Sequence, residues 1–356
     1  MSRPTTLDQR SVLTEELLGA SGPAAEPQGL RPARRSWLAL LLTYLLTVFL
    51  LVTLNFFLPR LMPGDPISAL IDGSSPSYVQ DDATRAALEA YYGLDRPLWN
   101  QYLSYLADLA HGDLGTSIRY HVPVSQLMAE RLPWTLLLLG TAAVISISVG
   151  WVSGIHSGWR RNRPVDRSLL TVFMGLRSFP DFFVASLALF VLAVWLGWFP
   201  MAGAQTPFTE SVGLERVGDV AHHLVLPASV LALGFAGSEY LVMRASMVSE
   251  LGADYLLLGR TKGLRDRRLK YRYAARNALL PVVALTAVHI GFAATGSVLV
   301  ETVFAYPGVG RLTFDAIAYR DYPTLQGCFL MLTMVVVTAN FLADALSRWL
   351  DPRTAQ

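Results

Sequence analysis

The chain has 356 residues, 53% of them hydrophobic and only 16% charged, with a mean hydropathy of +0.39. Soluble proteins carry roughly a quarter charged residues, so this composition excludes an ordinary water-soluble globule. A formal net charge of +2 gives no sign of a nucleic-acid partner, and a single cysteine, Cys328, excludes an internal disulfide or a Cys-rich metal site.

Residues 1–36 are polar, with prolines, glycines and charges and no apolar core of signal-peptide type. They read as a disordered cytoplasmic tail. Residues 37–58 are uncharged and long enough to cross about 30 Å of hydrocarbon, which predicts a first transmembrane helix. Residues 59–132 form the one sizeable segment outside the membrane, a small extracytoplasmic loop domain. It carries the turn signals PGDP and DGSSP and two short helical patterns, at 82–92 and 97–110.

The remaining body, residues 133–350, holds five further apolar runs: 133–154, within 168–199, 223–243, 280–303 and 325–347. Each has to be helical, because lipid offers no partner to free backbone groups. The predicted fold is an all-α polytopic membrane protein with six transmembrane helices. The run at 168–199 is too long for one straight span, and Pro180 is expected to kink or break it. Most of the 29 Lys and Arg residues fall on the side of the N-terminal tail. They include Arg34 and Arg35, Arg160, Arg161 and Arg163, and the series from Arg260 to Arg276. This places both termini, including residues 351–356, in the cytoplasm of a multi-pass plasma-membrane protein.

The most basic segment is the connection 244–281, GRTKGLRDRRLKYRYAARNALLP at its centre. Met247, Leu251, Tyr255 and Leu258 recur at helical spacing. Gly263 offers a left-handed stop, Asp266 opens a second helix, and Pro281 ends it at the membrane entry. Leu256, Leu257, Leu258 and Leu264 cannot all be covered by one short helix, so the leftover apolar surface implies a partner. A membrane-surface helix whose arginines touch acidic lipids stands beside that reading.

Charged groups inside a span are costly and face the bundle interior. Arg177 and Asp181, at i and i+4, either line a pathway or neutralise one another beside Pro180. Glu239 is expected to pair locally with the neighbouring Arg244, and Asp344 with Arg348. Glu301 caps the YPGVG turn or faces a pathway entrance. His289 lines a pathway or bonds between helices, and Gly291 and Gly296 favour close packing. The histidines form no metal-ligand pattern, and no G-x-x-x-x-G-K-[ST] loop is present, so the chain is not expected to be an enzyme or to hydrolyse ATP itself.

Several motifs succeed one another in a specific order: PGDP, GLDRPLWNQYL, GDLGTS, PVSQLMAERLPWTL, HLVLP, ETVFAYPGVGRL, RDYPTLQG and LDPR. Together with DYLLLGRTKGLRDRRLKYRYAARNALLP they resemble the first permease subunit of bacterial dipeptide/oligopeptide/nickel ABC importers, over almost the whole chain beyond the tail. The resemblance implies that the central segment is a coupling helix docking on a cytoplasmic ATPase, with Asp254, Tyr255, Leu258, Thr261, Gly263 and Leu264 at the contact. Leu256–Gly259 departs from the more polar helix common in relatives. The implied partners are a second permease subunit in a heterodimer, two ATPase subunits, an extracytoplasmic binding protein and the lipid bilayer. ATP and Mg would be held by the ATPases, with no cofactor in this chain. Arg177, Asp181, His289 and Glu301 are the candidate pathway residues. Nickel or another small solute as cargo, and a stand-alone secondary transporter, are the alternatives to peptide import.

Overall fold

The computed structural model describes residues 37–61, 95–209 and 212–350, with scattered positions between 83 and 93. Within the helices the side chains of 37–40, 280–281, 284–285, 287, 290–296 and 343–350 are not described. The polar tail, PGDP, the Gly291 and Gly296 packing and the Asp344–Arg348 pair therefore lie outside the described residues, as does most of the helical pattern at 82–92. The chain divides into two units, Met1–Thr43 and Tyr44–Gln356, and the helix packing belongs to the second.

Helix α1 (Trp37–Arg60) is succeeded by α2 (Leu98–Ala110), which Pro97 introduces as the sequence predicts. Then come α3 (Val124–Trp159), α4 (Pro164–Arg177) and α5 (Asp181–Ala188), the last continuing as a π-helical stretch, Leu189–Trp195. Helix α6 (Leu214–Glu250) leads to α7 (Asp254–Thr261) and the single turn α8 (Asp266–Arg268). A π-helical segment, Leu269–Ala274, joins α8 to α9 (Ala275–Val303), and α10 (Val309–Ala318) and α11 (Tyr322–Leu350) complete the order.

Among the described residues four helices are long and apolar enough to cross a membrane: α1, α3, α6 and α11. The α4–α5 pair makes a fifth if its two arms, bent by 93°, count as one span. The break at 178–180 falls where Pro180 predicts it. Two expected spans are longer than their apolar cores: α3 begins at Val124 and α6 runs from Leu214 to Glu250. Pro133 and Pro227 lie inside these helices, each removing one backbone bond without ending the element. The helix opened by Asp266 likewise does not stop at Pro281 but continues to Val303. Leu42, Leu46 and Leu50 on α1, Val144 and Val152 on α3, and Phe190 and Val194 on the π-helical continuation of α5 are exposed. That is the apolar coat a bilayer would cover.

The tightest seam joins α3 to α6. Gly150, Gly154 and Gly158, four residues apart, share one face of α3. A β-carbon on them would come within 2.5 Å of the Glu239 Cβ, 2.8 Å of the Met243 Cβ and 2.5 Å of the Met247 Cβ. Each glycine weakens a helix by about 1 kcal/mol relative to alanine. Here that loss is offset by backbones meeting directly, as in small-residue packing between membrane helices. Leu138, Leu139 and Ala142 of α3 continue the core with Ala228, Leu231 and Ala232 of α6 and Val300 of α9.

Candidate functional site

At one end of the bundle α7 stands between two longer helices. Asp254 opens it, and Gly263 closes the unit with φ +71°, a left-handed conformation that admits a side chain only under strain. The periodic stretch from Met247 to Leu258 is not one helix: α6 ends at Glu250, and a turn through Gly252 restarts the chain at Asp254. Leu256 is buried against Leu269 and Met247, while Leu257 and Leu258 are exposed. Leu264 and Tyr255 pack inward on the same cluster. The expected apolar surface is thus divided, with Leu257 and Leu258 outward and Leu256 and Leu264 inward. Gly259 is buried, and a β-carbon there would strike Leu269 Cδ2 and sit 3.5 Å from Leu264 Cδ1. The residue that weakens the helix is the one that lets it lie on the π segment.

Side chains from the neighbouring helices hold this platform. The Tyr255 hydroxyl donates to Glu250 Oε2, and burial followed by Glu250 pushes the phenol up to about 12. Trp159 Nε1 donates to Asp266 Oδ2 at 2.9 Å, and His156 Nε2 lies 3.0 Å from the Tyr271 hydroxyl. Lys270 is buried, and desolvation followed by the charge of Arg160 holds its ammonium below the usual lysine range.

Behind the platform, Arg244 donates from Nε and Nη2 to both oxygens of buried Asp166, at 2.6 and 2.8 Å. The Ser157 hydroxyl also donates to Asp166, and the Asn162 amide does so at 2.8 Å. Glu239 does not pair with Arg244. It is buried among three helices, where Oε2 accepts from Trp151 Nε1 on α3 at 2.9 Å and from Thr286 Oγ1 on α9 at 2.5 Å. His289 Nδ1 lies 2.9 Å from Glu239 Oε1. Local reading found Glu239 and His289 but not their union, and it passed over Asp166.

Arg177 and Asp181 are not joined by an ion pair among the described residues. The elbow at 178–180 removes the helical i, i+4 register on which such a pair depends. Both rest on α6 instead. A β-carbon on Gly234 would meet Asp181 Oδ1 at 2.7 Å, and one on Gly237 would meet Arg177 Cβ at 3.6 Å.

At the opposite end, Glu301 is fully buried and caps α10. Oε1 accepts from Thr135 Oγ1 at 2.9 Å and Oε2 from the Arg311 amide at 3.0 Å, while Thr135 Oγ1 accepts from the Val309 amide at 2.8 Å. A carboxylate suits the positive end of a helix, and this is the capping role expected for Glu301. Asp321 performs a similar task before α11. It accepts from Ser117 Oγ at 2.5 Å, from the amides of Ile118 and Arg119 at 3.1 and 3.2 Å, and from Thr324 Oγ1 at 2.8 Å. The GDLGTS and RDYPTLQG motifs are therefore two halves of one contact. Among the described residues no group of three or more His, Cys, Asp or Glu is placed to hold a metal ion.

The family of binding-protein-dependent transport system inner membrane components matches residues 146–356. The chain belongs to that family. As a permease it is a multi-pass inner-membrane protein and the non-catalytic, membrane-spanning part of an importer, working with ATPase and binding-protein partners. The permease is 36% identical over 302 residues to the oligopeptide transport system permease protein AppB of Bacillus subtilis, covering 84% of this chain and 92% of that one. It is 33% identical to the dipeptide transport system permease protein DppB of Alkalihalophilus pseudofirmus, with the same two coverages. A Brucella suis protein whose name assigns it provisionally to the peptide permeases is 40% identical over 305 residues, 85% of this chain and 93% of its own. Among solved structures, a chain of the MetNI methionine ABC transporter in an inward-facing crystal form superposes with a TM-score of 0.52. That match covers 64% of the permease and 97% of the other chain at 15% identity, a likeness of fold.

Proposed function

We propose that the permease forms half of the translocation pathway for dipeptides and oligopeptides, paired with a second permease subunit and driven by two cytoplasmic ATPases. The cargo reading is carried by relatives named for peptide transport over more than four-fifths of the chain. The pairing and the number of ATPases derive from the family resemblance of the motifs. Six spans are counted when the bent α4–α5 pair and α9 are each taken as one, with both termini cytoplasmic and residues 59–132 outside. Cysteine labelling from outside should then reach Ser75→Cys and miss Arg268→Cys, and the reverse would overturn the topology.

In this reading α7 is the coupling helix. Its outward residues, Asp254, Leu257, Leu258, Thr261 and Gly263, meet the ATPase, while Tyr255 and Leu264 set its position from within. Nothing lies within 4 Å of a β-carbon at Gly263, so a substitution there acts through backbone strain alone. Gly263→Val should leave membrane insertion intact and abolish ATPase pull-down or coupled transport. Gly263→Asn, which tolerates a left-handed turn, should retain both. Normal ATPase binding and uptake in Gly263→Val would refute the coupling role. Arg177 and Asp181 remain the pathway residues, whereas His289 and Glu301 act within the permease's own packing. Uptake of radiolabelled dipeptide, longer peptide and nickel by the assembled complex tests the cargo directly. Nickel uptake without peptide uptake would overturn the peptide assignment.

A further inference from the structure

Asp181 opens the second arm of the bent span, half-buried, with its carboxylate over the bare backbone of Gly234. Among the described residues nothing donates a hydrogen bond to it, and Arg177, the nearest base in sequence, does not pair with it. A carboxylate in a membrane-crossing segment is costly, and it is accommodated by a proton, a counter-charge or an aqueous path. The surroundings specify what kind of cation fits. Phe179, Phe182 and Phe183 are all exposed around the elbow, and Phe179 and Phe183 stack with ring centroids 5.9 Å apart. A carboxylate on the same elbow as exposed aromatic side chains suits an organic ammonium group, which takes a charge-assisted hydrogen bond and can also meet a ring face. A metal cation would demand further oxygen or nitrogen ligands instead.

We infer that Asp181 is a specificity residue of the pathway, receiving the α-ammonium group of a passing peptide against the aromatic elbow. This rests on peptide being the cargo. Gly234 is part of the arrangement, because any larger residue would displace the carboxylate. A counter-charge supplied by the second permease is the competing source of compensation.

The test compares uptake of a dipeptide bearing a free α-ammonium group with its N-acetylated counterpart, in the full complex with its binding protein. The binding protein's own preference enters wild type and variants alike and cancels between them. Asp181→Asn should raise the apparent KM for the free-ammonium peptide about tenfold, the worth of one modest ion contact, and move that for the acetylated peptide less than about twofold. Asp181→Glu should restore most of the preference. An unchanged preference in Asp181→Asn, with peptide uptake intact, overturns this inference and leaves the peptide reading standing. Loss of the co-purifying second permease in Asp181→Asn assigns the carboxylate to a subunit contact and also overturns it. Absence of any peptide uptake by wild type overturns the peptide reading and this inference together.

Discussion

Gly259 of α7 and Leu269 of the π-helical segment meet where a β-carbon would have to stand. Both are buried, so the leucine has little room to withdraw. Gly259→Ala gains about 1 kcal/mol of helix propensity but overpacks the contact at about 1–3 kcal/mol. The net outcome is expected to be destabilisation, larger for Gly259→Val. Adding Leu269→Val, which shortens the obstructing side chain, should recover part of the loss. Thermal denaturation of wild type, Gly259→Ala, Leu269→Val and their double variant in detergent gives the coupling, and strictly additive effects would contradict the contact.

The buried carboxylate of Glu239 serves donors from α3 and α9 at once. Glu239→Ala strands Trp151, Thr286 and His289 together and is expected to cost about 3–5 kcal/mol, the range for removing one partner from a buried charged network. His289→Ala alone should cost less, because Trp151 and Thr286 still donate to the carboxylate. Melting temperatures of purified protein check the ranking, and His289→Ala as damaging as Glu239→Ala would sink it.

Two acid–base relationships should behave oppositely in double-mutant cycles. Asp166 and Arg244 share two hydrogen bonds, so Asp166→Ala and Arg244→Ala should be strongly non-additive, by about 0.5–3 kcal/mol. Arg177 and Asp181 share none among the described residues, and their alanine substitutions should add within about 0.5 kcal/mol. A large coupling in the second cycle would restore the local ion pair that the elbow excludes.

Asp321 fastens the hairpin around Thr116 and Pro123 to the start of α11. Asp321→Ala removes a helix cap worth about 0.5–2 kcal/mol and also frees the turn at Ser117–Arg119. The expected result is protease cleavage between residues 112 and 123 in folded, membrane-inserted protein, at a rate at least several-fold above wild type. Thr324→Ala, which leaves the Ser117 contact in place, should show little change.

The sequence was legible where physics is local. Apolar runs marked α1 and the cores of α3, α6 and α11, Pro180 marked the elbow, Pro97 marked α2, and Asp254 and Gly263 marked the limits of the α7 unit. What escaped notice is mostly non-local. Asp166 finds Arg244 78 residues away, Thr135 finds Glu301 166 away, and Ser117 finds Asp321 204 away. Reading at helical spacing offers each carboxylate only its near neighbours, so Glu239 was matched to Arg244 and Asp181 to Arg177. The glycine seam is a different case. Gly150, Gly154 and Gly158 stand at regular four-residue intervals in plain view, and small residues at that spacing are a recognised sign of helices in contact. Helix ends were also misjudged, because hydrophobicity reports the width of the membrane rather than the length of the rod that crosses it.

The right-angled bend between α4 and α5 has the geometry of a crank. Its second arm, Asp181–Trp195, is about 22 Å long at 1.5 Å per residue, so twisting α4 by about 10° about its own axis would swing the far end of that arm through about 4 Å. A straight span turned by the same amount would merely spin in place. Torque applied near Asp166, where Arg244 grips the start of α4, would thereby become sideways travel of the second arm, with leverage set by the arm's length.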